Sequence, residues 1–263
     1  YRTATFFQVL DPPFAEMQHD IVTKPLGYAD SIFRSTMILN DLRNQTKGNN
    51  LFGKVVDNTN MLGYSYSNNN GYGLYVADYS GNYNGSVIGF DYEGDDNVHA
   101  GLSLSSNEFV GYNKTKWYGT GKANLKTESI NMFIEYTHGF SDTLFGKIGL
   151  TIHQSKVKEF TETDSAFNVS IDEFDMTVGS LFADIGKIYK TKLGNTYISL
   201  GAEYYETREV DIVFSDYLNY THKEDLVVGK FGFTHTFGIF YLTAELDTEN
   251  REIYQLGFRF NLK

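Results

Sequence analysis

From Tyr254 to Lys263 the chain alternates apolar and polar residues without a break. Tyr254, Leu256, Phe258, Phe260 and Leu262 fall on one face, and Gln255, Gly257, Arg259 and Asn261 on the other. Only a strand sorts residues this way, because its side chains point to opposite sides in turn, whereas a helix repeats every ~3.6 residues. The pattern recurs far upstream. Ile88, Phe90 and Tyr92 oppose Gly89 and Asp91, and Val98, Ala100, Leu102 and Leu104 oppose His99, Gly101, Ser103 and Ser105. Ile130, Met132, Ile134 and Tyr136 oppose Asn131 and Glu135, with Phe133 intruding on the polar phase. Ile148, Leu150 and Ile152 oppose Lys147, Gly149, Thr151 and His153; Ile198, Leu200, Ala202 and Tyr204 oppose Ser199, Gly201, Glu203 and Tyr205; Phe240, Leu242, Ala244 and Leu246 oppose Tyr241, Thr243 and Glu245.

A soluble sandwich can contain a few such strands, with its polar face turned to water. Here the polar face is rich in glycine, amides and hydroxyls, and the apolar face carries large aromatic and branched groups on strand after strand. Aromatic residues make up 16% of the 263 residues while the mean hydropathy is −0.34. A membrane barrel explains both, since each strand shows one face to lipid and the other to a polar lumen. The expected fold is therefore an all-β transmembrane antiparallel β-barrel. Candidate strands are 51–58, 61–68, 72–79, 84–93, 97–109, 120–138, 144–160, 168–188, 195–214, 225–236, 239–247 and 251–262, about twelve, and an even number suits a bacterial barrel. Compact joints at Asn68–Gly71, Glu93–Asn97, His138–Asp142 and Phe237-Gly238 alternate with longer ones, as short periplasmic turns alternate with extracellular loops. In 168–188, Phe174, Met176 and Val178 share one phase and Leu181, Ala183 and Ile185 the other, which predicts a β-bulge near Gly179-Ser180.

Before the strands, Asp11-Pro12-Pro13 and Pro25 with Gly27 break regular structure over residues 1–27. The pattern from Asp30 to Asn44 reads as a helix: Asp30 or Ser31 can cap it, Ile32, Phe33, Met37, Ile38, Leu39 and Leu42 follow, and Gly48 lies past its end. Its length of roughly 20 Å approaches the ~25 Å height of a barrel's apolar band, so it could thread a lumen or pack outside a sheet. Residue 1 is Tyr with no signal peptide before it, so the chain reads as cut from a longer precursor.

The final segment resembles the C-terminal β-signal of bacterial outer-membrane proteins, in a polar residue (Gln255), Gly257, and then Phe260 and Leu262 two apart, with Lys263 trailing. Gly85-Ser-Val-Ile-Gly-Phe-Asp-Tyr92, Asp95-Asp96-Asn97 and His99-Ala-Gly-Leu-Ser-Leu104, preceded by Leu39-Asn-Asp-Leu-Arg43, resemble the β-domain of monomeric, type Va autotransporters over about residues 28–263. That resemblance implies a barrel of twelve strands at 49–263, a linker helix at 28–48 inside the pore and a passenger remnant at 1–27. It implies that Arg34 and Arg43 meet inward carboxylates such as Asp91, Glu135, Glu203 or Glu245, in a lumen that His153 and Arg259 also line. It also implies a Gram-negative outer-membrane location at the cell surface, contact with lipid and lipopolysaccharide, assembly by the outer-membrane insertion machinery, and export of the chain's own N-terminal passenger by a monomer. Some members cut the passenger at an Asn-Asn step in the helix. Here the helix has Asn40-Asp41, and Asn49-Asn50 lies at the foot of the first strand, so an uncut passenger, or one cut elsewhere, is expected. The alternative is a small outer-membrane channel whose residues 28–48 form a plug.

Other chemistries find little support. With 33 acidic against 22 basic residues the net charge of −11 opposes nucleic-acid binding. There is no cysteine, and the six histidines are scattered without ligand spacing, so no metal and no cofactor are expected. Ser155 and His153 share a strand face without an obvious orienting acid, so no enzymatic activity is expected.

Overall fold

The computed structural model describes residues 47–56, 58–94, 97–115, 119–163, 168–171, 173–208, 210–215, 218–223, 225–249 and 251–260. The expected helix at 30–44, with Arg34 and Arg43, and Leu262 of the terminal segment lie outside them. The described residues form fifteen strands: β1 (Gly48–Val56), β2 (Thr59–Ser67), β3 (Tyr72–Gly81), β4 (Tyr83–Glu93), β5 (Val98–Thr115), β6 (Gly119–Gly139), β7 (Leu144–Thr163), β8 (Asn168–Ile171), β9 (Phe174–Thr191), β10 (Gly194–Thr207), β11 (Val210–Ser215), β12 (Leu218–His222), β13 (Asp225–Phe237), β14 (Phe240–Asp247) and β15 (Glu252–Phe260).

Twelve of them close a ring. Each pairs antiparallel with its neighbour in the order β1 to β7, β9, β10, β13, β14 and β15, and β15 returns to β1 with Phe258 opposite Leu51 and Tyr254 opposite Val55. Closure leaves no sheet edge in the wall, so every ladder group has a partner, the condition for backbone that faces hydrocarbon. The remaining three strands belong to the connections. Short β8 pairs with the end of β7, and β11 and β12 form a separate hairpin. The candidate strands 168–188 and 195–214 are thus each divided, the first into β8 and β9, the second into β10 and β11.

The four compact joints expected from sequence all lie at one end, the turn end, together with the β9–β10 turn. Gly71 completes the β2–β3 turn with a φ of 85°, a left-handed conformation that glycine adopts without a steric penalty. The opposite, loop end is where β5, β6, β7 and β9 run on to lengths of 18 to 21 residues, against about 9–11 needed to cross a membrane.

The alternation sorts as expected. Leu200 is 60% exposed, Leu181 59%, Ile148 57% and Leu256 56%, and such residues continue around the wall. An outward apolar surface this extensive has no place in water and forms the lipid-facing belt. Near the turn end it is edged by aromatic groups in contact. Phe240 stacks on Phe237 and meets Phe258, which meets Phe260, which meets Tyr64; Tyr72 packs on Phe90 and Tyr92.

On the inner face, aromatic rings sit over glycines of the adjoining strand. Tyr75 lies directly opposite Gly89, Phe182 opposite Gly149, Tyr241 opposite Gly257 and Phe52 opposite Gly63. A Cβ at any of these glycines would meet the ring, so the missing side chain is what seats the aromatic. Phe133 stands in the same relation to Gly101, which explains an aromatic on the polar phase of β6.

The bulge expected at Gly179-Ser180 does not form. β9 pairs in unbroken register with both β7 and β10 and alternates throughout. A register shift falls instead between Lys126 and Thr127, where β6 meets β7. Met176 and Val178 point inward and Leu181, Ala183 and Ile185 outward, because the lumen itself changes character along its axis.

Candidate functional site

The lumen has two zones, and a uniformly polar interior, as sequence suggested, is not what the wall provides. Towards the loop end the inward residues are largely apolar. Val56, Met61, Tyr79, Tyr83, Val87, Leu125, Val157, Met176, Val178 and Val228 are buried in one cluster, with Phe109, Phe174, Leu226 and Ile253 packed against it. With Tyr205 the cluster draws on eleven of the twelve barrel strands; the exception is β14, which contributes only the deeper Tyr241 and carries Glu245 opposite Ile253 at this height. We call this zone the apolar collar.

Towards the turn end the wall is polar and tied into three networks. The first crosses β4 to β7: His99 Nε2 lies 2.7 Å from an Asp91 oxygen, His99 Nδ1 3.1 Å from Glu135 Oε1, and Lys147 Nζ 3.4 Å from the same Glu135 oxygen. The second crosses β9, β10 and β13: Ser180 Oγ donates to Glu203 at 2.6 Å, Lys230 Nζ pairs with Glu203 at 2.8 Å, and Lys230 also stands 5.0 Å above the Phe182 ring. The third crosses the closing seam: Asn50 Nδ2 donates to Ser65 Oγ at 3.2 Å and to Tyr241 Oη at 3.0 Å, and Gln255 Nε2 donates to the same Tyr241 oxygen at 3.0 Å. These networks take in eleven of the twelve strands. The twelfth, β3, offers Gly73, against which the Asp91 carboxylate lies. Lys54, Lys147, Glu203, Lys230, Gln255 and Arg259 line a vestibule of about 560 Å³ at this end. Nearly buried ions are tolerated there because each pair is compensated by hydrogen bonds as well as by opposite charge.

The expected lumen residues are therefore placed as follows. Asp91, Glu135 and Glu203 are buried on the inner face and committed to the networks above. Glu245 and Arg259 line the vestibule, and Arg259 leaves its Nε without a partner among the described residues. His153 is fully buried nearer the collar, where its Nε2 shares a 2.8 Å hydrogen bond with Ser155 Oγ, itself 2.5 Å from Ser129 Oγ. Gln255 and Gly257 act at the seam, the one bonding to Tyr241 and the other seating its ring. Phe260 stands on the outer face in the aromatic edge. Lys147, Lys230 and Tyr241 were not picked as lumen contacts from sequence, and Asn50 was noted only for its Asn-Asn step, yet these four hold the networks together. A usable signal was present: Lys147, Lys230 and Tyr241 fall on the inward phase, where a cation or phenol needs a partner.

Asn49 and Asn50 are built into β1, Asn49 accepting from Tyr64 Oη at 2.6 Å. Chain scission between them would open the wall beside its closing seam.

No protein-family model matches this chain, and no curated protein matches it. Among solved structures it is similar to the translocator domain of the autotransporter NalP from Neisseria meningitidis, with 13% identity and a TM-score of 0.54 over 90% of this chain and 97% of that one. The β-domain of the Bordetella autotransporter BrkA aligns over 81% of this chain and 98% of its own, at 14% identity and a TM-score of 0.47. The NanC porin aligns over 82% and 100%, at 10% identity and 0.42. Of these three, the NalP domain carries the structural argument, and at that identity it concerns the fold: a closed barrel of twelve antiparallel strands.

Proposed function

We propose that this chain is the translocator domain of an autotransporter, inserted in the outer membrane of a Gram-negative bacterium, which exports an N-terminal passenger and then anchors it. The observation that favours export over passive permeation is the apolar collar. A diffusion channel needs a continuous polar, water-filled path, and a band of apolar side chains from eleven of the twelve strands opposes one by dewetting. A lumen that is charged at one end and apolar at the other suits a helical segment with both kinds of residue. The 28–48 segment carries Ile32, Phe33, Met37 and Ile38 beside Arg34 and Arg43. In this reading it threads the pore, its arginines facing the carboxylate-bearing vestibule and its apolar side the collar. Residues 1–27 then connect the pore to the passenger, and residues 49–263 are the anchor. Phe260, Leu262, Gln255 and Gly257 present the terminal strand to the assembly machinery, and the barrel works without catalysis or cofactor.

The test is surface display. An epitope placed ahead of residue 1, behind a signal peptide, is expected to be reached by antibody and removed by added protease on intact cells. An epitope that stays in the periplasm while the barrel is folded in the membrane leaves the channel reading in its place.

A further inference from the structure

The turn end of the barrel is not the same all the way round. The β2–β3 and β4–β5 turns are polar or acidic, Asn68-Asn-Asn-Gly71 and Gly94-Asp-Asp-Asn97. The next three along the rim each expose a large apolar side chain: Phe140 is 57% exposed, Leu193 81% and Ile239 53%. In their midst, at the end of β9, lies Lys187-Ile-Tyr-Lys-Thr-Lys192, with no acidic residue between Asp184 and Glu203 in a chain of net charge −11.

Lys187 is on the outward phase, directly below Ile185 of the lipid-facing belt. Its cross-strand neighbours are Leu144 on β7 and Ile198 on β10, so its stem runs among apolar groups. Its ammonium leans towards the rim, 5.2 Å above the Tyr189 ring. That is how a lysine at a membrane edge carries its charge to the interface. Among the described residues no carboxylate lies within ion-pair distance of Lys187, Lys190 or Lys192, and Asp142, the acid of the adjoining turn, is paired with none of them. Lysines elsewhere on the barrel, such as Lys126, Lys156, Lys158 and Lys230, each have a carboxylate partner. An exposed cation with no partner in the protein, held at a membrane edge, is open to an anionic headgroup.

We propose that this sector of the rim is a binding site for anionic phospholipid of the inner leaflet, with Lys187 and Lys192 on the headgroup phosphate and Leu193, Phe140 and Ile239 at the acyl boundary. Two features of the fold favour lipid as occupant. The apolar turn tips stand just beyond the lipid-facing belt, with Lys187 between Ile185 and Leu193, and the free charge is of the sign that anionic headgroups attract. The leaflet assignment rests on the translocator reading, which puts the turn end in the periplasm; the lipid preference does not.

The experiment titrates the detergent-solubilised full chain with phosphatidylglycerol or phosphatidylcholine and counts bound lipid by native mass spectrometry. Phosphatidylglycerol is expected to bind more tightly. Each Lys→Gln change at 187 or 192 is expected to weaken it roughly fivefold, the factor that corresponds to about 1 kcal/mol per basic residue near an anionic surface. A Lys156→Gln/Lys158→Gln variant, at the loop end, is expected to bind as the parent does. Heat-dependent migration on a detergent gel establishes that each variant is folded. Equal affinity for the two lipids, a Lys187→Gln/Lys192→Gln variant that binds normally, or an equal loss in the loop-end variant overturns the site. Separately, a Lys192→Cys chain is expected to react with an impermeant maleimide only after the outer membrane is opened. Labelling on intact cells removes the inner-leaflet assignment. If phosphatidylglycerol binding persists while no passenger is displayed, the lipid site stands and the translocator reading falls.

Discussion

Lys230 and Glu203 show how the wall stabilises charge where water is scarce. Glu203 is 3% exposed, and it accepts from Ser180 and pairs with Lys230, whose ammonium also faces the Phe182 ring. Removing one ion of a nearly buried pair costs more than the pair contributes, because the remaining charge has lost its compensation. Lys230→Met is therefore expected to destabilise the barrel by about 3–5 kcal/mol, seen as a lower temperature for the shift from folded to unfolded migration on a detergent gel. Adding Glu203→Gln removes the stranded charge and is expected to recover most of that loss. A neutral Lys230→Met, or a double variant no better than the single, shows that the two side chains are not coupled.

At the scale of the strand, the seam between β1 and β15 offers a controlled comparison. Gly257 on β15 faces inward beneath the Tyr241 ring, and Gly53 on β1 has no atom nearer to its would-be Cβ than the Met61 carbonyl at 3.9 Å. Gly257→Val pushes away the ring whose hydroxyl gathers Asn50 and Gln255, so overpacking of about 1–3 kcal/mol adds to lost hydrogen bonds across the closure. Gly53→Val points outward, where a branched side chain suits the belt. The folded, heat-modifiable fraction recovered from membranes is expected to fall sharply for the first and to hold for the second; equal recovery means that the seated ring does not matter to assembly. These strands were legible in sequence because a barrel wall separates lipid from lumen at every residue, and an alternation of Tyr254, Leu256, Phe258 and Phe260 against Gln255, Gly257 and Arg259 has one reading. β9 was misread for a physical reason. Alternation tells which residues share a face but not whether that face is wet, so inward Met176 and Val178 looked like an outward pair out of phase, and a bulge was inferred where the lumen merely turns apolar. The networks were half legible. Asp91, Glu135 and Glu203 announce themselves as acids on an inward phase, whereas a tyrosine that serves as acceptor for amides from two other strands is visible only once the ring of strands has closed.

At the scale of the whole molecule, the translocator reading gives the barrel two separate obstacles to ion flow, and the question is which of them forms the seal. The collar lies in the wall, formed by side chains such as Val157 and Met176 from eleven of the twelve strands, and the 28–48 segment is the proposed occupant of the axis. The two make different demands on ion flow. A helix in the lumen obstructs by volume, so its deletion opens the path whatever the wall is made of. An apolar collar obstructs by excluding water, so it persists after deletion and yields to polar substitution. Deleting residues 28–48 is expected to raise single-channel conductance in a planar bilayer markedly, and adding Val157→Asn and Met176→Asn to that deletion is expected to raise it again. If the deletion changes nothing while the two asparagines in the intact chain open the pore, the wall alone forms the seal and no helix occupies the lumen. If the deletion gives the full conductance and the asparagines add nothing, the collar serves to grip the helix rather than to exclude water, and the export reading then rests on the occupant and not on the wall.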